Sequence, residues 1–293
     1  MKIIVPATSA NMGPGFDCLG VALKFYNAID IQPSKFFSVS VRGEGARFLK
    51  TKNGNAFLNI FYKTYKRLTG ADGAFRFRFE NNIPLSRGLG SSSAAIVSAL
   101  SAAYLTAKVP LDKRLILNEA LTYEQHPDNI TPATFGGFCV CAVEEAEVVF
   151  SRVRLEDRLR AVVTIPDKPI STRLSRNVLP KKLKIEDATF NIARSSLLTA
   201  ALLTKDYDLL RAACEDRLHQ AIRMRFLPEL FEVQKTAFEA GALSSSLSGS
   251  GSSFFHLAKD GDDALKIALA LRKGFPSFRT EIFEFDALGA QVS

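Results

Sequence analysis

Residues 84–95 read Pro-Leu-Ser-Arg-Gly-Leu-Gly-Ser-Ser-Ser-Ala-Ala, a run whose residue types suit the capture of a phosphate. The first backbone N–H groups of a helix lack carbonyl partners and point outward along the positive end of the helix dipole. Gly88 and Gly90 carry no side chain, so an anion can come close to such amides. Ser91, Ser92 and Ser93 add hydroxyls able to cap the helix, bond a phosphate oxygen or reach a metal ion. The same run also reads as a plain Gly-Ser turn ahead of a buried helix. The helix behind it favours a ligand, because Ala94 to Leu105 is small and apolar on nearly every side, as in a central helix aimed at the loop. The Walker A pattern GxxxxGK(S/T) is absent from the chain, as are the VAIK, HRD and DFG elements of protein kinases.

Three further stretches share this make-up of small residues with a few polar groups. They are Pro6-Ala7-Thr8-Ser9-Ala10-Asn11-Met12-Gly13-Pro14-Gly15-Phe16-Asp17, then Glu124-Gln125-His126-Pro127-Asp128-Asn129, then Ser246-Leu247-Ser248-Gly249-Ser250-Gly251-Ser252. A serine hydrolase with Ser92 as nucleophile and His126 or His219 as base is a rival reading, but Gly90-Ser91-Ser92-Ser93-Ala94 only approximates a GxSxG elbow.

The elements that must carry these residues emerge from apolar periodicity. Lys2 to Ala7 and Phe16 to Ile31 read as extended around the turn at 11–15, and Phe37 to Arg42 and Phe75 to Phe79 alternate as half-buried strands do. Phe57, Phe61, Tyr65 and Leu68 fall on one helical face, and a second helix is expected from about Leu111 to Glu124. Gly137 to Ala142 and Val148 to Arg152 read as a hairpin, Ala161 to Ile165 as a strand, and residues 185–240 as mainly helical. The tail, from Leu243 to Phe285, reads strand-turn-strand-helix-strand, an α+β layer. At 293 residues and 47% hydrophobic, two domains are expected, 1–155 and 156–293.

Composition narrows the function classes. The N-terminal apolar stretch is too short for a signal peptide, and no segment of about 18 uncharged apolar residues occurs, so a cytoplasmic chain without membrane contact is expected. Cys18, Cys139, Cys141 and Cys214 form no CxxC pair, so buried free thiols are expected rather than a zinc site. The net charge of +8 is scattered without an aromatic-basic pattern, which argues against nucleic acid and fits a small anionic substrate.

Taken together, PATSANMGPGFDCLG, PLSRGLGSSSAA, EQHPDN and SGSGS resemble, in order, the motifs of the GHMP small-molecule kinase superfamily, and within it the homoserine kinase family. Met12, Gln125 and Ser252 stand where that family usually has leucine, glycine and proline. The resemblance implies an α+β fold of two domains, the first like domain 2 of ribosomal protein S5 and the second ferredoxin-like, with the active site between them. It implies transfer of the γ-phosphoryl group of ATP, with Mg²⁺, to the side-chain hydroxyl of L-homoserine in threonine biosynthesis, and admits a homodimer. Another kinase of the superfamily, for mevalonate or a sugar, is the alternative.

By the same resemblance, Pro84, Leu85, Ser86, Arg87, Gly88, Leu89, Gly90, Ser91, Ser92, Ser93 and Ala94 form the nucleotide loop. Asn11 and Asn129 would hold the acceptor hydroxyl, and Asp128 is either a general base or structural. Asp17 would take the substrate ammonium or else cap its own turn. His126 would lie near the substrate carboxylate, with Thr172, Arg176 and Arg223 for the carboxylate and phosphate, the bland reading of each arginine being a surface ion pair. Glu124 with Ser92 would hold the metal, Glu119 being the alternative carboxylate. The fourth motif supports the glycine loop across the cleft, contacts phosphate directly or is a tight hairpin turn.

Overall fold

A computed structural model of the chain describes residues 1–47, 49 and 55–293. The first half builds a mixed sheet from β1 (Lys2–Ala10), β2 (Leu19–Pro33), β3 (Ser38–Gly43), β4 (Phe75–Asn81), β5 (Phe138–Glu144) and β6 (Glu147–Val153). β2 is long enough to pair with β1 along most of its length while its far edge takes β5 at one end and β4 at the other. Strict alternation in Phe75-Arg76-Phe77-Arg78-Phe79 puts the phenylalanines on the inner face of β4. There they meet Phe57 and Phe61 of α1 (Ala56–Thr69) edge-on, at centroid distances of 5.1–6.0 Å.

The glycine loop feeds α2 (Ser91–Thr106), whose alanines and serines let it sink between α1, β1, α3 (Lys113–Leu121) and α4 (Pro127–Phe135). Sequence pattern does not reveal α4, because Pro127 and Pro132 look like breakers. Pro127 occupies the first helical turn, where no backbone donor is required, so it starts the helix. α4 lies directly on β2: a methyl group at Gly20 would fall 1.8 Å from the Asp128 carbonyl oxygen.

Between Val153 and Arg160 the chain passes to a second, wholly antiparallel sheet of β7 (Arg160–Ile165), β8 (Ser244–Leu247), β9 (Phe254–Ala258) and β10 (Arg279–Phe283), in the order β10-β7-β9-β8. This is the split βαβ arrangement of a ferredoxin-like layer. α5 (Thr172–Asn177), α6 (Ile185–Thr204), α7 (Leu210–Ala213), α8 (Gln220–Met224) and α9 (Glu229–Glu239) lie between its first two strands, and α10 (Gly261–Gly274) precedes the last. One face of this sheet, with Val162, Leu247 and Phe254, packs under α9 and α10. The other face, with Ala161, Val163, Ile165, Phe255 and Leu257, joins the core of the first sheet in one continuous cluster.

The last residues depart from the expected division at 155/156. Phe285 bridges Leu23, the Asp286 amide bonds Ala22, and β11 (Gln291–Val292) pairs with β1. The C-terminal tail therefore completes the first sheet instead of belonging to the second. Asp286 anchors it: 2% exposed, its carboxylate accepts from the Tyr26 hydroxyl at 2.9 Å and from the amides of Leu288 and Gly289 at 2.9 and 2.6 Å. Among the described residues no helix is long and apolar enough to cross a membrane. Asp286→Ala leaves three donors without their acceptor and is expected to cost about 2–3 kcal/mol, lowering Tm by roughly 3–5 °C in a thermal melt. An unchanged Tm would remove the tail anchor.

Candidate active site

A cavity of about 530 Å³ opens between the two sheets, with the glycine loop at one end and residues of loop 11–18, α4, α5 and α8 at the other. At its floor α2 begins on Gly90, which sits at φ 67° and supplies no side-chain cap. The first backbone bond back to that cap comes from the Ala94 amide, 2.9 Å from the Gly90 oxygen. The amides of Ser91, Ser92 and Ser93 thus form the bare positive end of a 16-residue helix facing the cavity.

What aims the loop is the fate of its carbonyls. The oxygen of Ser86 accepts from the Ile170 amide at 3.2 Å, and that of Arg87 from the Ser253 amide at 3.0 Å. Gly88 O accepts from the Ser248 hydroxyl at 2.6 Å, and Leu89 O from the Thr8 amide at 3.2 Å. Four successive carbonyls are held by β1 and by two segments of the second sheet's layer. The packing leaves no room for side chains: a methyl group on Gly88 would lie 2.1 Å from Ser248 O, and one on Gly90 would lie 1.9 Å from Thr8 Oγ1. The fourth motif is therefore a buttress for the glycine loop, one of its sequence readings.

Of the expected nucleotide loop, Ala94 does not line the cavity, and Arg87 lines it with its guanidinium engaged elsewhere. Arg87 reaches across to the second half, donating to the carbonyls of Pro166 (2.8 Å) and Asp167 and back to Leu85 (3.1 Å), so its guanidinium is a clamp between halves. Ala94 is buried within the helix, its amide already spent on Gly90. Leu89 is also buried; it lines the cavity together with Pro84, Leu85, Ser86, Arg87, Gly88, Gly90, Ser91, Ser92 and Ser93.

At the other end the chain makes a tight turn in which Asn11, Met12 and Gly13 have φ of 68°, 48° and 95°, and Asp17 has 60°. Asn11 holds this turn, accepting from the Asp17 amide at 3.0 Å and donating to Gly249 O at 2.9 Å. Its amide keeps one N–H and one lone pair beyond these two bonds. The Asp17 carboxylate takes both arms of Arg176 on α5, at 2.6 and 3.1 Å, and lies 3.3 Å from His126 Nδ1. Arg223 is 1% exposed; it donates to Gly249 O at 3.1 Å and to Ser175 O at 3.4 Å. The guanidinium carbons of Arg176 and Arg223 stand 5.3 and 5.1 Å from the ring centroid of Phe16. Thr172 faces the cavity with its hydroxyl 3.2 Å from that of Ser250. Asp17, His126, Thr172, Arg176 and Arg223 therefore converge; Arg223 is buried, and Arg176 is ion-paired with Asp17 at the cavity wall.

Between the two ends stand the groups of α4. Asn129 accepts from the Thr8 hydroxyl at 2.6 Å and turns its amide toward Asp128 Oδ1 at 3.4 Å. Asp128 is 3% exposed; burial, then the charges of Asp17 and Glu124, push its carboxyl up to about 8. Burial also raises Glu124, which accepts from Ser93 Oγ at 3.0 Å and lines the cavity. His126 is lowered, chiefly by burial. Glu119 is engaged elsewhere, with Tyr104 at 2.8 Å and Arg67 at 2.5 Å. The serine beside Glu124 is Ser93, while Ser92 is exposed at the cavity wall.

Sequence reasoning assigns no part to Thr8, Phe16 and Ser248, although all three sit inside its motifs. Their roles depend on which segments meet, and only the small hydroxyl opposite a glycine was a signal. The hydrolase reading finds no support among the described residues: His219 is engaged with Gly13 O and Arg223, His126 lies against Asp17, and neither bonds Ser92.

Residues 57–137 match the GHMP kinases N terminal domain, and residues 198–277 match the GHMP kinases C terminal domain. The chain is 54% identical to the homoserine kinase of Campylobacter lari over the full length of both, and 54% identical to that of Sulfurovum sp. over 99% of each. A crystal structure of homoserine kinase from Cytophaga hutchinsonii superposes with a TM-score of 0.89 at 27% identity, covering 100% of this chain and 97% of that one. With its two-sheet fold, its bare helix terminus and full-length likeness at this level, the chain belongs to the homoserine kinase family of GHMP kinases.

Proposed function

We propose that this protein transfers the γ-phosphoryl group of ATP to the side-chain hydroxyl of L-homoserine, a step of threonine biosynthesis, in the cytoplasm. One observation carries the reading: a carboxylate and two guanidiniums, Asp17 with Arg176 and Arg223, share one cavity with the unpaired helix terminus. An α-amino acid bears its ammonium and carboxylate on the same carbon, so a recognition site must present anion and cation side by side. A neutral sugar has no use for paired arginines. Four free cysteines fit a reducing compartment.

In this reading the amides of Ser91 to Ser93 and the open backbone at Gly88 and Gly90 take the phosphates, without a Walker lysine. Asn129 orients the acceptor hydroxyl; Thr8 fixes the oxygen of its amide and Asp128 takes one N–H, which leaves the second N–H for substrate. Glu124, a half-buried carboxylate met by one serine hydroxyl, fits a Mg²⁺ ion that keeps several waters and phosphate ligands, with Ser92 or Ser93 beside it. When bound, that ion neutralises charge on the phosphates. Asp128 is the carboxylate nearest Asn129, and its raised proton affinity suits it to receive the hydroxyl proton.

A coupled ADP-release assay across homoserine, threonine, mevalonate and galactose is expected to favour homoserine; preference for mevalonate or galactose would overturn the assignment. Arg176→Ala is expected to raise KM for homoserine about tenfold or more with KM for ATP little changed, as for loss of a substrate contact. An unmoved homoserine KM would take Arg176 out of the substrate site. Asp128 also marks the pH dependence of stability. Its folded pKa of about 8 lies above the unfolded 3.8, so its contribution is present below the unfolded value and lost as pH rises through about 8. In urea melts from pH 5 to pH 9, Asp128→Asn should therefore gain on the wild type; equal pH dependence of the two midpoints would contradict this.

A further inference from the structure

His219 belongs to neither wall of the cavity, yet it touches both groups that shape its amino-acid end. It precedes α8 and is 1% exposed. Its Nε2 lies 2.8 Å from the Gly13 carbonyl oxygen, and its Nδ1 lies 3.3 Å from Arg223 Nη1. A carbonyl can only accept and a guanidinium can only donate. Nε2 must then carry the proton and Nδ1 must be bare, and one neutral tautomer meets both demands. Burial and the Arg223 charge act together against a second proton, while Asp216, 3.8 Å away, acts the other way.

The backbone that carries the ring is fixed from behind. Asp216 accepts from the amides of His219 and Gln220 at 2.8 and 2.7 Å and from the Asn191 side chain at 2.7 Å. The ring's partner Gly13 is equally fixed: φ is 95°, and a methyl group there would lie 2.4 Å from Cys214 O. Gly13 lies in the same turn as Asn11 and Asp17, and Phe16, whose ring Arg176 and Arg223 share, is 5.2 Å from the His219 ring.

We propose that His219, as the neutral Nε2–H tautomer, is a positioning residue that holds Arg223 in register with loop 11–17 for the substrate carboxylate. This rests on the homoserine reading of the site. In the full-length enzyme, with each substrate varied at saturation of the other, His219→Ala should raise KM for homoserine about tenfold while KM for ATP stays within about twofold. His219→Asn keeps an acceptor near the place of Nδ1, and His219→Gln keeps an N–H near that of Nε2, so each should recover part of the loss. A parallel rise in both KM values, or amide variants no better than alanine, overturns the proposal. Should the alanine variant fail to fold, nitrogen NMR of the histidine-labelled wild type reads the tautomer directly. An Nε2–H neutral ring is expected at pH 7, and an Nδ1–H ring or an imidazolium refutes it. A wild type that leaves homoserine unphosphorylated overturns the function itself, whereas an active wild type with unmoved variants overturns only the role of His219.

Discussion

A backbone that binds an anion through its amides must turn its carbonyls elsewhere, and every such carbonyl needs a donor. That requirement organises this molecule. The oxygens of residues 86–89 are met by Ile170, Ser253, Ser248 and Thr8, which come from opposite sides of the cleft. Peptide planes held this way keep their N–H groups toward the cavity before any ligand arrives, so little reorganisation is left for the binding step. Arg87, spent on the carbonyls of Pro166 and Asp167, reinforces the same seam.

The seam explains why the two halves share one core. A loop stitched to both sheets could not keep its aim if the sheets moved freely, and the cluster running from Val5 and Leu23 to Val163 and Phe255 resists such motion. The tail returning to β1 adds a second strap, tied through Asp286. At the opposite end of the cavity the same logic uses charge. Arg176 and Arg223 would repel each other, but Asp17 lies against the first and both guanidiniums rest near the Phe16 ring. Burial, then the charge of Arg176, lowers Arg223 to about 10, which still leaves it charged at neutral pH.

Much of this was legible before any coordinates. Alternation in β4, the apolar face of α1 and the hairpin of β5 and β6 are local patterns, and they formed where periodicity placed them. The glycine loop, the turn at 11–17 and the residues of α4 announced themselves by composition. α4 itself did not, because a proline in a first turn looks like a breaker until its neighbours are known. The tail was misassigned for a similar reason: a two-residue strand has no periodicity to read.

By itself the sequence determined which groups are present for chemistry, since glycines that must hold φ near 70° and carboxylates beside small residues are properties of the chain. Direction was beyond it. Arg87 and Arg223 are the same residue type and both line the cavity, yet one ties the glycine loop to Pro166 and Asp167 while the other is buried against Ser175, Gly249 and His219. Likewise Glu119 and Glu124 lie five positions apart, and only packing gave the first to Arg67 and Tyr104 and left the second at the cavity beside Ser93. The physical reason is that hydrogen bonds and burial are settled between segments far apart in the chain, and no local pattern encodes which of two equal side chains meets them.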